Sequence, residues 1–318
     1  MDTKRYNPLI LAAIAILLTA MWTRAIPAHE HLSDNSQGTI KVDVDLVLVN
    51  AGVTDSDGRT VTGLEKQNFQ LWEDKVEQKI EYFSGEDTPV SIGLIFDATG
   101  SMSDKISRAR DAAVAFLKTG NPEDEYFLIT FSQQPRLEET FTTDLSRLQN
   151  RMLFTATKGL TPLFDAVYLG LEQMKSANNK RKALLLITDG EDNHSRYSFF
   201  DVKEFLREQD VQIFAIGIVD STEDLALGRS GRTTIEDLVD VSGGRAFFPE
   251  SAEELEDICS KIAIELRNEY VLGYHPSNDT KDGRWRKIRV KVSPPKGATR
   301  LSVHARSGYY GEKLNPRQ

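Results

Sequence analysis

A single cysteine, Cys259, stands in a chain of 318 residues, so no intrachain disulfide can form. Its neighbours Ile258, Ile262 and Leu266 recur at helical spacing, which predicts a buried structural thiol rather than a reactive one. Positive charge is also scarce: 39 Lys and Arg against 48 Asp and Glu leave a net charge of −9. That is the wrong sign for a surface that must neutralise phosphates, and it excludes nucleic acid as a partner. The five histidines, at 29, 31, 194, 275 and 304, lack metalloprotease spacing. There is no internal repeat and no low-complexity block.

A run long enough to span a bilayer is missing as well. Leu9 to Trp22 is apolar over 14 residues, short of the ~20 that a spanning helix needs. With Lys4 and Arg5 before it and Ala25 and Ala28 after it, residues 1–28 read as a secretory signal peptide. An uncleaved N-terminal anchor is the alternative, because the cleavage context is not a clean Ala-x-Ala, and it is the one route to a membrane. Without residues 1–28 the chain carries 36 basic and 47 acidic side chains, a net of −11. The expected location is periplasmic or extracellular. Residues 29–38 are polar and aperiodic and read as a linker.

What the chain does contain is two β-rich flanks around a long alternating body. In the first flank, Ile40, Val42, Val44, Leu46 and Leu48 alternate with charged residues as in a half-buried strand. Asp57-Gly58 signals a turn, and Phe69–Trp72 and Val76–Phe83 read as further strands. In the second, Tyr270–Tyr274, Trp285–Val292 and Leu301–Tyr309 are β-like. Neither flank is large enough for its own core. Together, residues 38–88 and 268–312 have the size of a β-sandwich. The basic run Arg284, Arg286, Lys287, Arg289 and Lys291 alternates with apolar residues and reads as the solvent face of a strand.

Residues 89–267 alternate strands with helices, and Ala183–Thr188 is continuously apolar, as a strand covered on both faces must be. The order predicts an α/β fold with a doubly wound, mostly parallel open sheet, inserted into the β-sandwich. Ser251 and Glu254 predict a capping box for a last helix ending near Arg267.

Three segments of this body bring oxygen donors to the carboxyl rim of the sheet. Asp97 ends the first strand, with Thr99 and Ser101 two and four residues on. Gly159-Leu-Thr161-Pro-Leu-Phe-Asp165 precedes a helix; Thr161 suits its N-cap, Pro162 its first residue and Asp165 its positive end. Asp189 follows the apolar strand in Thr188-Asp189-Gly190. Carboxylates mixed with hydroxyls suit Mg²⁺, Mn²⁺ or Ca²⁺. The Asp-Thr-Gly loop of aspartic proteases is excluded, because Ala98 interrupts it and no second loop matches. Glu191 and Asp192 read as a solvated acidic loop.

Asp97-x-Thr99-Gly-Ser101, Thr161 and Asp189 together resemble the metal-ion-dependent adhesion site of von Willebrand factor A domains, over roughly residues 89–267. The flanks, with Val61-Thr-Gly-Leu64, Phe69, Trp72-Glu-Asp74 and Ser307-Gly-Tyr-Tyr310, resemble exported bacterial proteins of the VWFA-related domain family. The resemblance implies a Mg²⁺ (or Mn²⁺ or Ca²⁺) site with Thr99 and Ser101 as direct ligands. Thr161 would ligate directly or through water, and Asp97 and Asp189 mainly through waters. It implies an open position for an Asp or Glu carboxylate of a partner protein, hence adhesion rather than catalysis. Thr99 departs from the Ser usual in the family, and its methyl can alter affinity or metal preference. Asp104 falls where integrin β chains begin an adjacent metal site, but Lys105 replaces the second acid. Two other functions compete: metal-assisted hydrolysis at the same rim, and an envelope spacer with a vestigial site.

Overall fold

The computed structural model describes residues 46–153, 157–218, 231–295 and 300–313. The leader, the linker and most of the strand expected from Ile40 lie outside them. The described residues fall within one compact unit.

Eight consecutive buried residues, Val90–Asp97 (β5), run through the middle of a six-stranded sheet. On one side lie Arg181–Thr188 (β8), Gln212–Gly217 (β9) and Ala246–Phe247 (β10); on the other lie Glu125–Phe131 (β6) and Pro135–Thr142 (β7). Only β7, at the edge, is antiparallel. Strand periodicity divides β5 between two cores. Ile92, Leu94 and Phe96 join the layer containing Ile106–Thr119 (α1), Leu145–Leu153 (α2) and Ala252–Arg267 (α6). Ile95 joins the layer of Leu163–Met174 (α3), Phe199–Glu208 (α4) and Gly231–Ser242 (α5). Burial of each such Leu, Ile or Phe contributes about 1.5–3 kcal/mol. Cys259 is wholly buried, and its Sγ donates to the Ala112 carbonyl at 3.3 Å. Burial pushes the thiol up to about 12, which makes it an inert α6–α1 contact. The doubly wound, mostly parallel sheet expected from the sequence is present.

The flanks build two four-stranded antiparallel sheets. The first contains Val47–Thr54 (β1), Tyr82–Ser84 (β4), Tyr270–Tyr274 (β11) and Ser302–Ala305 (β13), in the order β13-β1-β11-β4. The second contains Phe69–Glu73 (β2), Val76–Gln78 (β3), Trp285–Val292 (β12) and Gly308–Tyr310 (β14), in the order β14-β12-β2-β3. Val49, Ala51 and Leu272 of one sheet share a core with Phe69, Leu71 and Ile288 of the other. Within it the Glu73 carboxylate accepts the hydroxyls of Tyr274 and Tyr309 at 2.7 and 2.8 Å.

Four expectations need correction here. The segment 76–83 is two strands in different sheets, because the chain crosses between sheets over Lys79–Glu81 and buries Ile80 on the way. The segment 301–309 divides in the same manner after Ala305. Arg286 does not belong to a solvated basic face: it is buried, 3.6 Å from Glu73, and donates to the Asn278 carbonyl at 3.0 Å. At Ser251 only half of the capping box forms, since the serine accepts from the Glu254 amide while the Glu254 carboxylate takes the Glu250 amide. Among the described residues no helix is long and apolar enough to cross a membrane.

Candidate functional site

Asp97 occupies the last position of β5 with no exposed surface. Its Oδ1 accepts the Thr99 amide at 3.0 Å and the Thr99 hydroxyl at 2.6 Å, and its Oδ2 accepts the Thr188 hydroxyl at 2.6 Å. Thr99 Oγ1 lies 3.0 Å from Ser101 Oγ, so a chain of oxygens leads from the buried carboxylate to the exposed serine. The segment between is a short 3₁₀ turn, Gly100–Met102, and α1 begins only at Ile106 with no side-chain cap. Ser101 is therefore left to the site and does not cap the helix.

Asp189 leaves the end of β8 almost fully buried, with Glu191 donating its amide to Oδ1 at 3.3 Å. Its Oδ2 is buried without a hydrogen-bond partner, and the Lys105 ammonium stands 3.8 Å from it. The Asp97 carboxyl is pushed up to about 7, first by burial and next by repulsion from Asp189; the hydroxyls of Thr188 and Thr99 oppose that rise. Two buried acidic side chains thus repel one another at the rim.

The backbone that delivers Asp189 depends on two glycines. Gly190 has φ +83°, and a Cβ there would fall 2.2 Å from the Gly231 carbonyl oxygen; a Cβ on Gly231 would fall 2.0 Å from the Asp189 carbonyl oxygen. Only glycine at both positions lets the loop after β8 meet the start of α5.

Thr161 is buried between these two loops. Lys158 donates its amide to the Ala98 carbonyl at 3.1 Å and Gly100 donates to the Gly159 carbonyl at 3.4 Å, which ties residues 158–159 to the Asp97 loop. Thr161 N donates to Asn193 Oδ1 at 2.8 Å, and its carbonyl accepts the amides of Asn193 and His194, which ties it to the Asp189 loop. The expected N-cap role is not seen. Helix α3 starts at Leu163 with Pro162 at the cap, and the Pro162 carbonyl accepts the Ala166 amide. The Thr161 side chain is thereby released from capping.

Asp165 faces away from this work: its carboxylate accepts the amides of Arg196 and Tyr197 at 2.9 and 3.0 Å. Asp192, read from the sequence as solvated, accepts the Phe164 amide at 3.2 Å and the Ser195 hydroxyl at 2.5 Å, so it braces the start of α3. The roles of Thr188 and Lys105 were also missed. Thr188 stood in the quoted Thr-Asp-Gly motif, whereas nothing local in sequence marks Lys105 as the cation turned toward Asp189.

Among the described residues no three His, Cys, Asp or Glu side chains gather as a metal cluster. A cation here would depend on hydroxyls beside two carboxylates, and the donor set suits a hard divalent ion and no softer one. Asp189 Oδ2 accepts no hydrogen bond, and even with Lys105 3.8 Å away Asp189 still repels the Asp97 carboxyl.

Human inter-alpha-trypsin inhibitor heavy chain H4 is 24% identical over 225 residues, which cover 63% of this chain and 23% of that protein. Most of that relative therefore has no counterpart here. Among solved structures, a von Willebrand factor type A protein from Catenulispora acidiphila covers 85% of this chain and 77% of its own, at 12% identity and a TM-score of 0.46. The PilB minor pilin of Streptococcus sanguinis covers 58% of this chain and 63% of its own, at 14% identity and a TM-score of 0.46. Residues 92–191 match the family of von Willebrand factor type A domains, and the α/β body of this chain is a domain of that family.

Proposed function

We propose that this protein is an exported binding module that captures an acidic side chain of a partner protein through a divalent cation. Asp97, Thr99, Ser101, Thr161 and Asp189 would hold the cation, with Mg²⁺ the best fit and Mn²⁺ or Ca²⁺ acceptable to the same oxygens. The observation that carries the reading is the buried Asp189 Oδ2, which accepts no hydrogen bond and has the Lys105 ammonium 3.8 Å away, close to a second buried acid, Asp97. When bound, a cation incompletely neutralised by its protein ligands supplies Lewis acidity for an external carboxylate. The chain's own residues do the rest. Asp97 accepts hydrogen bonds from the Thr99 and Thr188 hydroxyls and so fixes both, while Ser101 presents the outermost oxygen.

An enzymatic reading needs a base that can reach a substrate proton. Asp97 is enclosed and both of its oxygens are already occupied by hydroxyl donors, which suits orientation better than proton transfer. The two flanking sheets, read as one β module that carries residues 89–267 as an insertion, would present the rim; pairing of β1 and β4 with β11 supports this.

The test is titration of Mg²⁺, Mn²⁺ and Ca²⁺ into the protein and into Asp97→Ala and Asp189→Ala. Cation binding that both substitutions abolish supports the reading. Absence of site-dependent binding sinks it and favours a spacer, and metal-dependent turnover of an ester, phosphate or peptide favours a hydrolase.

A further inference from the structure

The surface beside Thr161 is basic, in a chain whose net charge is −9. A cavity of about 780 Å³ opens there, with Arg136, Arg151 and Lys158 as its cationic lining and Glu138 as its carboxylate among the described residues; Arg151 is already paired with the buried Glu139 at 3.8 Å, which leaves Arg136 and Lys158 to the cleft. Glu138 is itself engaged by the Thr130 hydroxyl at 3.0 Å. The volume lies within the ~300–1,000 Å³ typical of ligand clefts. Lys158 is fixed at the border of the cation site, because its amide bonds the carbonyl of Ala98, between Asp97 and Thr99. Gly159, at φ +87°, presses against the opposite wall: a Cβ there would stand 2.6 Å from Gln133 Cγ. Cleft and cation site therefore share one loop. A second cavity of about 430 Å³ continues from Gln133, Gln134 and His194 to Tyr168 and Tyr197, whose rings stack at 3.9 Å.

We infer that this cleft recognises the same partner at a second point, and that the partner segment carries a cluster of Asp and Glu residues. One carboxylate meets the cation, and its neighbours in sequence lie along Lys158 and Arg136. The inference rests on the cation-bridged reading above and adds the chemistry of the segment around the captured residue. Arg136 and Lys158 are exposed, so their contribution is selectivity and association rate, and salt weakens it. A lone carboxylate would use the cation alone.

Fluorescence anisotropy with dye-labelled peptides tests this on the full chain in saturating Mg²⁺. The probes are an oligoglutamate and a peptide with a lone glutamate among glycine and serine. The oligoglutamate is expected to bind at least about tenfold more tightly, and Arg136→Glu/Lys158→Glu should erase that advantage. The same double variant should leave lone-glutamate binding unchanged, which also shows that it is folded. Equal affinity for the two peptides overturns the inference, as does a double variant that keeps the preference. A single-stranded oligonucleotide of matched charge that binds as tightly as the oligoglutamate overturns it too. Failure of the cation reading has a different signature: lone-glutamate binding that survives EDTA and Asp189→Ala.

Discussion

The Lys105 ammonium lies 3.8 Å from Asp189 Oδ2, and both side chains are over nine-tenths buried. A tethered monovalent cation thus already sits where negative charge has been gathered. A divalent ion arriving at Asp97 and Asp189 would meet this resident charge. Lys105→Met should therefore tighten Mg²⁺ binding by about tenfold, the order expected when a like charge is removed from a poorly screened site. The same variant should melt lower than the native protein in EDTA and regain the difference in Mg²⁺. Calorimetric titration and thermal melts check both. Unchanged affinity would mean that Lys105 swings aside at no cost.

Thr99 joins Asp97 to Ser101 through a single oxygen. Thr99→Ser keeps that oxygen and is expected to retain cation binding. Thr99→Val keeps the shape but removes the hydroxyl, deprives Asp97 of one donor, and should cost about 1–3 kcal/mol in stability. Cation affinity should fall with it. Chemical denaturation of the two variants side by side separates the methyl from the hydroxyl.

Gly190→Ala is expected to destabilise by roughly 1–3 kcal/mol, since it combines a positive φ with a collision against backbone. Because the collision lies one residue from Asp189, cation binding should weaken more than it does in Gly63→Ala. Gly63 also has positive φ, at +76°, but nothing lies within 4 Å of its Cβ position. The pair distinguishes strain from displacement of the site.

Glu269 is a pH probe remote from the rim. Burial pushes its carboxyl from 4.5 up to about 8, against a hydrogen bond from Gln212 and the charge of Arg181. The native state keeps a proton that the unfolded chain releases, so this stabilisation is full below about 4.5 and is lost as pH rises through 8. Glu269→Gln should flatten that decline and gain roughly 1–3 kcal/mol relative to the native protein between pH 6 and 8.5. His304, held down to about 4 by burial and Arg245, slopes the other way between about 4 and 6.5. The comparison is therefore cleanest above that window. Parallel curves for the two proteins would refute the assignment.

The α/β body was legible because its strands are long, apolar and punctuated: Asp97 does close Val90–Asp97, and the continuously apolar Ala183–Thr188 lies within Arg181–Thr188. The flanks were less legible. Short antiparallel strands that change sheets leave a single unbroken alternation in sequence, as at 76–83, and nothing local marks the crossing at Ile80. At the site, order along the chain brought together Asp97, Thr99 and Ser101 and pointed to Asp189. What stayed hidden were partners supplied from elsewhere in the chain: Lys105 for Asp189, Gly231 for Gly190, Glu73 for Arg286. Such contacts are properties of the packed fold.

Strand β1 pairs with β11 through Val47 and Tyr274, more than two hundred positions apart. Closing so long a loop costs entropy that local contacts cannot offset at the outset. The six-stranded body, whose neighbouring elements are mostly close in sequence, has to gather its two ends before β1 and β4 can pair with β11, or β2 with β12. Strand β1, whose partners β11 and β13 both follow the body, is thus late to pair, and a newly made copy holds its β1 edge unpaired until residue 270 and beyond have arrived.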